Sequence, residues 1–200
     1  TMRSEDAAPG TLLAIRHGAT PGRLTLVVRS EEGSRAYPVA ERFYLALGSP
    51  AVGYLLTEEE TEALLAHVAE RRALASALGS LTRGDESRRN LYCKLRRKGH
   101  SDTAARAALD EVENLGYLRE ADNAERLAAR CAGKGWSRRK THAYLVSRGY
   151  PGATVTRAID AAIDAGDADF EENKRRFREK QEALGLSPEE VRRALWRAGF

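Results

Sequence analysis

Ser87-Arg88-Arg89-Asn90-Leu91-Tyr92-Cys93-Lys94-Leu95-Arg96-Arg97-Lys98-Gly99-His100, residues 87–100, is the stretch that decides the fold, because its pattern returns at Ser137 and again at Ser187, a spacing of 50 residues each time. The second copy runs Ser137-Arg138-Arg139, then Thr141, Leu145, Gly149 and Tyr150. The third runs Ser187, Val191, Leu195, Gly199 and Phe200. The register holds between the copies, pairing Leu109 with Ile159, Asp110 with Asp160, Gly116 with Gly166, Asn123 with Asn173 and Arg126 with Arg176. Self-similarity at a fixed period marks stacked supersecondary units that bury their apolar faces against one another and leave an extended surface for binding.

Each copy reads as three helices. Ser87 is a helix-opening residue, Leu91, Tyr92 and Leu95 make an apolar stripe, and Gly99 supplies a left-handed stop. The second helix begins near Ser101 or Asp102, buries Ala105, Ala108, Leu109 and Val112, and ends at Gly116. The third runs from about Glu120 to Cys131 and stops at Gly133-Lys134-Gly135. In the next copy Pro151-Gly152 opens the second helix, whose stripe is Val155, Ile159 and Ile163, and the third spans Phe170 to Leu184. The last copy holds a single helix before Phe200. The fold class is therefore mainly α, with about two and a third three-helix repeats: 85–136, 137–186 and the partial 187–200.

The chain before the array has a different texture. Leu12–Arg16, Arg23–Arg29 and Arg42–Leu47 are short apolar or alternating runs separated by glycine- and charge-rich segments, Gly18–Gly22 and Glu31–Ser34. In the middle run Leu24, Leu26 and Val28 alternate with Arg23, Thr25, Val27 and Arg29, the period of a half-buried strand. A small antiparallel β module over 1–56 is expected. Thr57 with Glu60 forms a capping box, and Ala63, Leu64, Val68, Leu74, Ala75 and Leu78 follow near helical spacing. They predict a connecting element, 57–84, with a helix over 58–81 that ends before Gly84-Asp85. Thr1, ahead of Met2, is read as a cloning remnant.

Of the 33 Lys and Arg and 29 Asp and Glu, residues 85–200 hold 24 and 19. Within a repeat the charges separate further: residues 87–98 and 137–148 contain no acid, whereas Asp102, Asp110, Glu111 and Glu113, and later Asp160, Asp164 and Asp167, follow them. A basic edge suited to phosphate and an acidic edge suited to protein are expected. The candidate contact residues are Arg88, Arg89, Lys94, Arg96, Arg97, Lys98, Arg138, Arg139, Lys140 and Arg148, with Arg192 and Arg193 in the third copy. Taken alone, such runs are also compatible with a solvated helix face. Lys174, Arg175, Arg176, Arg178 and Lys180 alternate with glutamates, and i,i+4 pairing accounts for them. Tyr117, Trp136, Tyr144 and Tyr150 sit at helix ends, where aromatics close a core or offer a stacking face for a base.

His17, His67, His100 and His142 share no ligand spacing, so no metal is expected. Cys93 and Cys131 stand apart with no CxxC partner and read as small apolar residues rather than a disulfide. No nucleophile motif, phosphate loop or paired carboxylates appear, so neither catalytic residues nor a cofactor is expected. No apolar run is long enough for a membrane span or signal-peptide core, which predicts a cytoplasmic protein without a membrane partner.

Lys94-Leu95-Arg96-Arg97-Lys98-Gly99, then Leu115-Gly116-Tyr117-Leu118 with Asp122, then Lys134-Gly135-Trp136 leading to Arg148-Gly149-Tyr150, resemble the RecX family, regulators of the RecA recombinase. The resemblance covers about residues 85–200. It departs at Asn123, where the family favours an aromatic, at Thr141, often an aliphatic there, and in the shortened third repeat. It implies a monomeric, non-enzymatic protein lodged in the groove of a RecA filament on DNA, restraining ATP hydrolysis and strand exchange. Its partners would be the filament and single-stranded DNA, with double-stranded DNA an open alternative. Two other classes fit the residues themselves: a sequence-tolerant DNA-binding protein acting alone, and an adaptor that binds protein only.

Overall fold

The computed structural model describes residues 10–200; Thr1 and Met2 lie outside them. The chain divides into two compact units. One comprises the described residues up to Ser76 together with Leu95–Ala108, and the other Ala77–Lys94 together with Leu109–Phe200.

In the first unit, β1 (Thr11–His17), β2 (Arg23–Ser30) and β3 (Gly33–Ala40) form an antiparallel sheet in the order β1-β2-β3. Leu24, Leu26 and Val28 of β2 point into a core with Leu12, Val39, Leu56, Leu64 and Val68, as the alternation predicts. The expectation for the Arg42–Leu47 run is overturned. The third strand is Gly33–Ala40, and Arg42 lies in a short helix, α1 (Glu41–Ala46). Ser30 pairs with Gly33 across a tight reversal at Glu31-Glu32, so the supposed separator is itself a hairpin turn. Pro38 is tolerated because β3 pairs on one side only, leaving no ladder donor to lose. In α1, Phe43 stacks on the His67 ring at 4.2 Å, and the His67 Nε2 accepts a hydrogen bond from the Ala40 amide at 3.2 Å. Burial, with Arg71 and Arg42 nearby, pushes the His67 pKa down, which suits a neutral ring acting as acceptor.

Helix α2 spans Glu58–Leu81, and its capping box forms as expected: the Thr57 hydroxyl accepts from the Glu60 amide at 3.1 Å and the Glu60 carboxylate accepts from the Thr57 amide at 2.8 Å. Its buried stripe differs from the predicted one. Leu64 and Val68 are buried, but the stripe continues through Ala73 and Ala77, while Ala63 and Ala75 are exposed. Alanines recur all round this helix, and where close packing needs a small side chain any of several registers would serve.

Helices α3 (Arg88–Arg97), α4 (Asp102–Asn114) and α5 (Glu120–Gly133) are followed by α6 (Arg138–Ser147), α7 (Gly152–Asp164) and α8 (Phe170–Ala183), each start and end displaced by the same 50 positions, and then by α9 (Pro188–Ala198). Leu91, Leu95, Ala105, Ala108, Leu109 and Val112 are buried in the first set, and Thr141, Leu145, Val155, Ala158, Ile159 and Ala162 in the second. Ile163, assigned to the stripe, is instead 37% exposed, because Ala158 and Ala162 complete the inward face.

Within the second unit the repeated serines act twice. Ser87 Oγ accepts from the Asn90 amide at 3.1 Å, capping α3, and donates to the Arg148 carbonyl at 2.7 Å, closing the C-terminus of α6. Ser137 does the same, accepting from the Lys140 amide at 3.2 Å and donating to the Ala198 carbonyl of α9 at 2.9 Å. Gly149 and Gly199 allow this approach: a Cβ on either would lie 2.8 Å from the serine oxygen, at a φ of +88° or +87°. Gly99, at φ +86°, would meet nothing within 4 Å. Gly99→Ala is therefore expected to cost only the left-handed backbone penalty, about 1 kcal/mol. Gly149→Ala should cost about 2–3 kcal/mol, since it also displaces the Ser87 bond. Equal losses in denaturant titrations of the two variants would refute the serine–glycine contact as an inter-repeat clamp.

The asparagines 50 apart serve a second repeated contact. Asn173 Nδ2 donates to the Ala132 and Trp136 carbonyls at 2.8 and 3.1 Å, and Asn123 Nδ2 reaches the Glu86 carbonyl, one period before Trp136, at 3.5 Å. Asn123 is thus a buried polar tie where an aromatic was the family expectation.

Candidate nucleic-acid interface

The second unit carries two answers to one structural slot. In the first copy, buried Glu86 accepts hydrogen bonds from Asn90 Nδ2 and Lys94 Nζ. One period later the positions hold Trp136, Lys140 and Tyr144, with the Lys140 ammonium 4.4 Å from the indole centroid and the Tyr144 ring edge-on at 5.2 Å. A charge pair and a cation–π cluster each satisfy a lysine at the start of the repeat. Lys94, assigned to the basic edge, is thereby tied to a buried carboxylate.

Arg88 and Arg138 are likewise not free. The Arg88 guanidinium bridges Asp110, at 2.5 Å, and Glu113, and its amide donates to Glu120 at 3.0 Å. The Asp110 hydrogen bond raises its pKa further and keeps it charged. Arg138 repeats the contact with Asp160 at 2.5 Å. The basic first helices and acidic second helices, expected to form separate edges, partly neutralise each other because successive helices of one repeat are packed side by side.

Among the described residues, no carboxylate pairs with Arg89, Arg97, Lys98, Arg139, Lys140, Arg148, Arg192 or Arg193, all exposed. Arg96 donates to the His100 carbonyl at 2.8 Å. Arg139 crosses to α9, donating to the Trp196 carbonyl at 2.9 Å with its guanidinium 5.7 Å from the indole centroid. Beside them Arg192, Arg193, Trp196 and Arg197 line a surface concavity of about 760 Å³. Trp196 and Arg197 were absent from the sequence-predicted set; the i, i+3, i+4 spacing of Arg193, Trp196 and Arg197 was the signal. Of the aromatics expected to close cores, Tyr150 is 3% exposed and Trp136 and Tyr144 are half-buried, but Tyr117 is 61% exposed. Arg176 pairs with Glu172 and Arg175 with Glu179, as i,i+4 spacing predicts, and Arg175 also reaches Glu172 at i,i+3.

Tyr150 is buried with its hydroxyl unpartnered among the described residues, and burial, helped by Asp85 and Glu120, pushes its pKa up to about 12. A folded-state pKa above the ordinary 10 contributes stability that is complete below pH 10 and lost as pH rises through 12, about 2–3 kcal/mol in all. Tyr150→Phe should match or exceed the parent at pH 7 and lack this alkaline loss. Parallel urea midpoints for both proteins between pH 8 and 12 would refute it.

Cys93 is exposed and Cys131 buried, both as free thiols. Among the described residues no cluster of His, Cys, Asp and Glu has the makeup of a metal site, and no helix is long and apolar enough to cross a membrane.

Helices α2 to α9 following a small antiparallel sheet, with exposed cations on α3, α6 and α9, define a mainly α-helical protein. Regulatory protein RecX of Stenotrophomonas maltophilia (strain R551-3) is 34% identical over 106 residues, 53% of this chain and 63% of that protein. Regulatory protein RecX of Mycobacterium avium (strain 104) is 31% identical over 128 residues, 63% of this chain and 73% of the relative. The chain belongs to the RecX family. It spans somewhat under two-thirds of the Stenotrophomonas relative's length. A crystal structure of regulatory protein RecX matches 96% of this chain and 94% of its own at a TM-score of 0.73 and 14% identity, and RecX from Lactobacillus salivarius matches 66% and 88% at 0.58 and 15%. Both share the fold over the matched part of the chain. No family model matches the chain.

Proposed function

We propose that the chain is a non-enzymatic regulator that binds the RecA recombinase filament on DNA and restrains its ATP hydrolysis and strand exchange. The observation that carries this reading is the set of carboxylate-free cations on the first helices, Arg89, Arg97, Lys98, Arg139 and Arg193 among them, exposed on successive copies. Exposed cations with no carboxylate partner suit a polyanion with regularly spaced phosphates. Membership of a family whose curated members are named regulatory proteins supports the regulatory part. The acidic residues of the second helices are largely committed to the arginines, so phosphate and acidic protein groups are the better counterparts for the remaining cations.

The test is DNA-dependent ATP hydrolysis by a RecA recombinase with this protein titrated in. Hydrolysis should fall as the protein is added, and the protein alone should turn over neither ATP nor DNA. Undiminished hydrolysis at saturating protein would overturn the proposal. Binding to DNA alone compared with recombinase-coated DNA separates this reading from a protein acting on DNA without a partner.

A further inference from the structure

Trp196 is 69% exposed, although a tryptophan carries more apolar surface than any other side chain and usually surrenders it to a core or an interface. Its exposure is not a consequence of lying near the last helix end. The same position one and two periods earlier holds Val146, 42% exposed, and Arg96, also exposed, so this site faces outward in all three first helices. The ring is held in place: Arg139 of α6 donates to the Trp196 carbonyl at 2.9 Å and sets its guanidinium 5.7 Å from the indole centroid. Arg192, Arg193 and Arg197 stand on the same helix, Arg197 bonded to the Arg193 carbonyl at 3.4 Å. Of the two acids lining the concavity, Glu190 is spent on the Ser187 cap, where the Ser187 amide holds its pKa down, leaving Glu189 against three arginines, Arg192, Arg193 and Arg197.

From this geometry we infer that Trp196, backed by Arg139, is a stacking platform for an unpaired base of single-stranded DNA, with Arg193 and Arg197 meeting the adjoining phosphates. A flat ring with one face open and cations around it matches the two features every nucleotide carries, a π-face and an anionic linkage. The fixed guanidinium removes part of the ordering cost of binding. A base inside a duplex has both faces stacked already, so the platform selects single strands. The inference rests on the DNA side of the function proposed above and specifies which residues touch the nucleic acid.

The experiment uses the whole chain without recombinase, so that its result is independent of the hydrolysis titration. An oligothymidylate of about 15 nucleotides is titrated while intrinsic fluorescence and fluorescence anisotropy of a labelled strand are followed. The chain has two tryptophans, so Trp136→Phe leaves Trp196 as the sole reporter. Its emission should be quenched on binding. Trp196→Ala should weaken binding about tenfold while leaving the salt dependence unchanged, because a stack is lost and no phosphate contact is. Trp196→Phe should bind within about threefold of the parent, since a ring is restored. Trp196 is solvent-facing, so circular dichroism of the variants should match the parent. The proposal is overturned if the oligonucleotide does not bind, if Trp196 emission is unchanged at saturation, or if Trp196→Ala binds like the parent. It is equally overturned if Trp196→Phe fails to rescue, if duplex binding falls by the same factor, or if Trp196→Ala loses only filament binding, which would assign the ring to a protein contact.

Discussion

Leu145→Ala is expected to lower the free energy of unfolding by about 2–5 kcal/mol, the range for truncating a wholly buried aliphatic side chain. Leu145 has no exposed surface and lies in the core formed by Ala128, Val155, Ile159 and Phe170, where helices α5, α6 and α7 meet. Little can collapse into the space it leaves, because its neighbours include alanines too small to fill it and the α6 backbone is pinned at its C-terminus by Ser87. Leu95, at the same place one period earlier, is equally buried and should lose a comparable amount. Val146→Ala is the control: the next residue is 42% exposed, and its loss should stay within about 0.5 kcal/mol. Denaturant titration of all three decides the matter, and a Leu145→Ala loss below about 1 kcal/mol would show that the first helices do not carry the core.

The second large effect is on function. Reversing Arg89, Arg97 and Lys98 to glutamate is expected to abolish inhibition of recombinase ATP hydrolysis while the protein stays folded, because all three side chains are exposed and engage no carboxylate among the described residues. Each phosphate contact adds about 0.7 to 0.9 to the slope of log affinity against log salt, so three or four contacts correspond to a slope near 3, and the reversal should remove most of it. Arg88 is excluded from the variant for a physical reason. It lies off the Leu91–Leu95 stripe, which alone would make it expendable, but it clasps Asp110 and Glu113, and a glutamate there would set three carboxylates together. Arg88→Glu should therefore lower stability as well as binding. Reversing Lys174, Arg175 and Arg178 should have a smaller effect, since Arg175 already pairs with Glu172 and Glu179. A folded Arg89/Arg97/Lys98 variant that inhibits at the parent's concentrations would refute the basic edge and turn attention to the exposed residues of the second helices.

Local chemistry made much of the architecture legible before any coordinates. The 50-residue register, the Ser87, Ser137 and Ser187 starts and the Gly99, Gly149 and Gly199 stops depend on backbone requirements that only a few residue types meet, so they are visible in the letters themselves. The Thr57–Glu60 box and the alternation of β2 are of the same kind. Where the deciding quantity was a partner distant in sequence, local pattern was insufficient. β3 forms because β2 offers it a ladder, and Arg42 enters a helix because Ala40 and Phe43 find His67.

The charged site divides along the same line. That cations recur on the first helices is written in composition and period alone. Which of them remain available is settled by packing, because a salt bridge needs the guanidinium or ammonium and the carboxylate of two different helices brought within hydrogen-bonding distance. Packing α3 beside α4 and α6 beside α7 consumed Arg88 and Arg138, burying Glu86 consumed Lys94, and crossing from α6 to α9 joined Arg139 to Trp196 across 57 residues of chain. The serine–glycine clamp shows both halves at once: its residues repeat visibly in sequence, yet that Ser87 serves Gly149 rather than Gly99 is settled by stacking, which alone brings a helix start against the end of the next repeat.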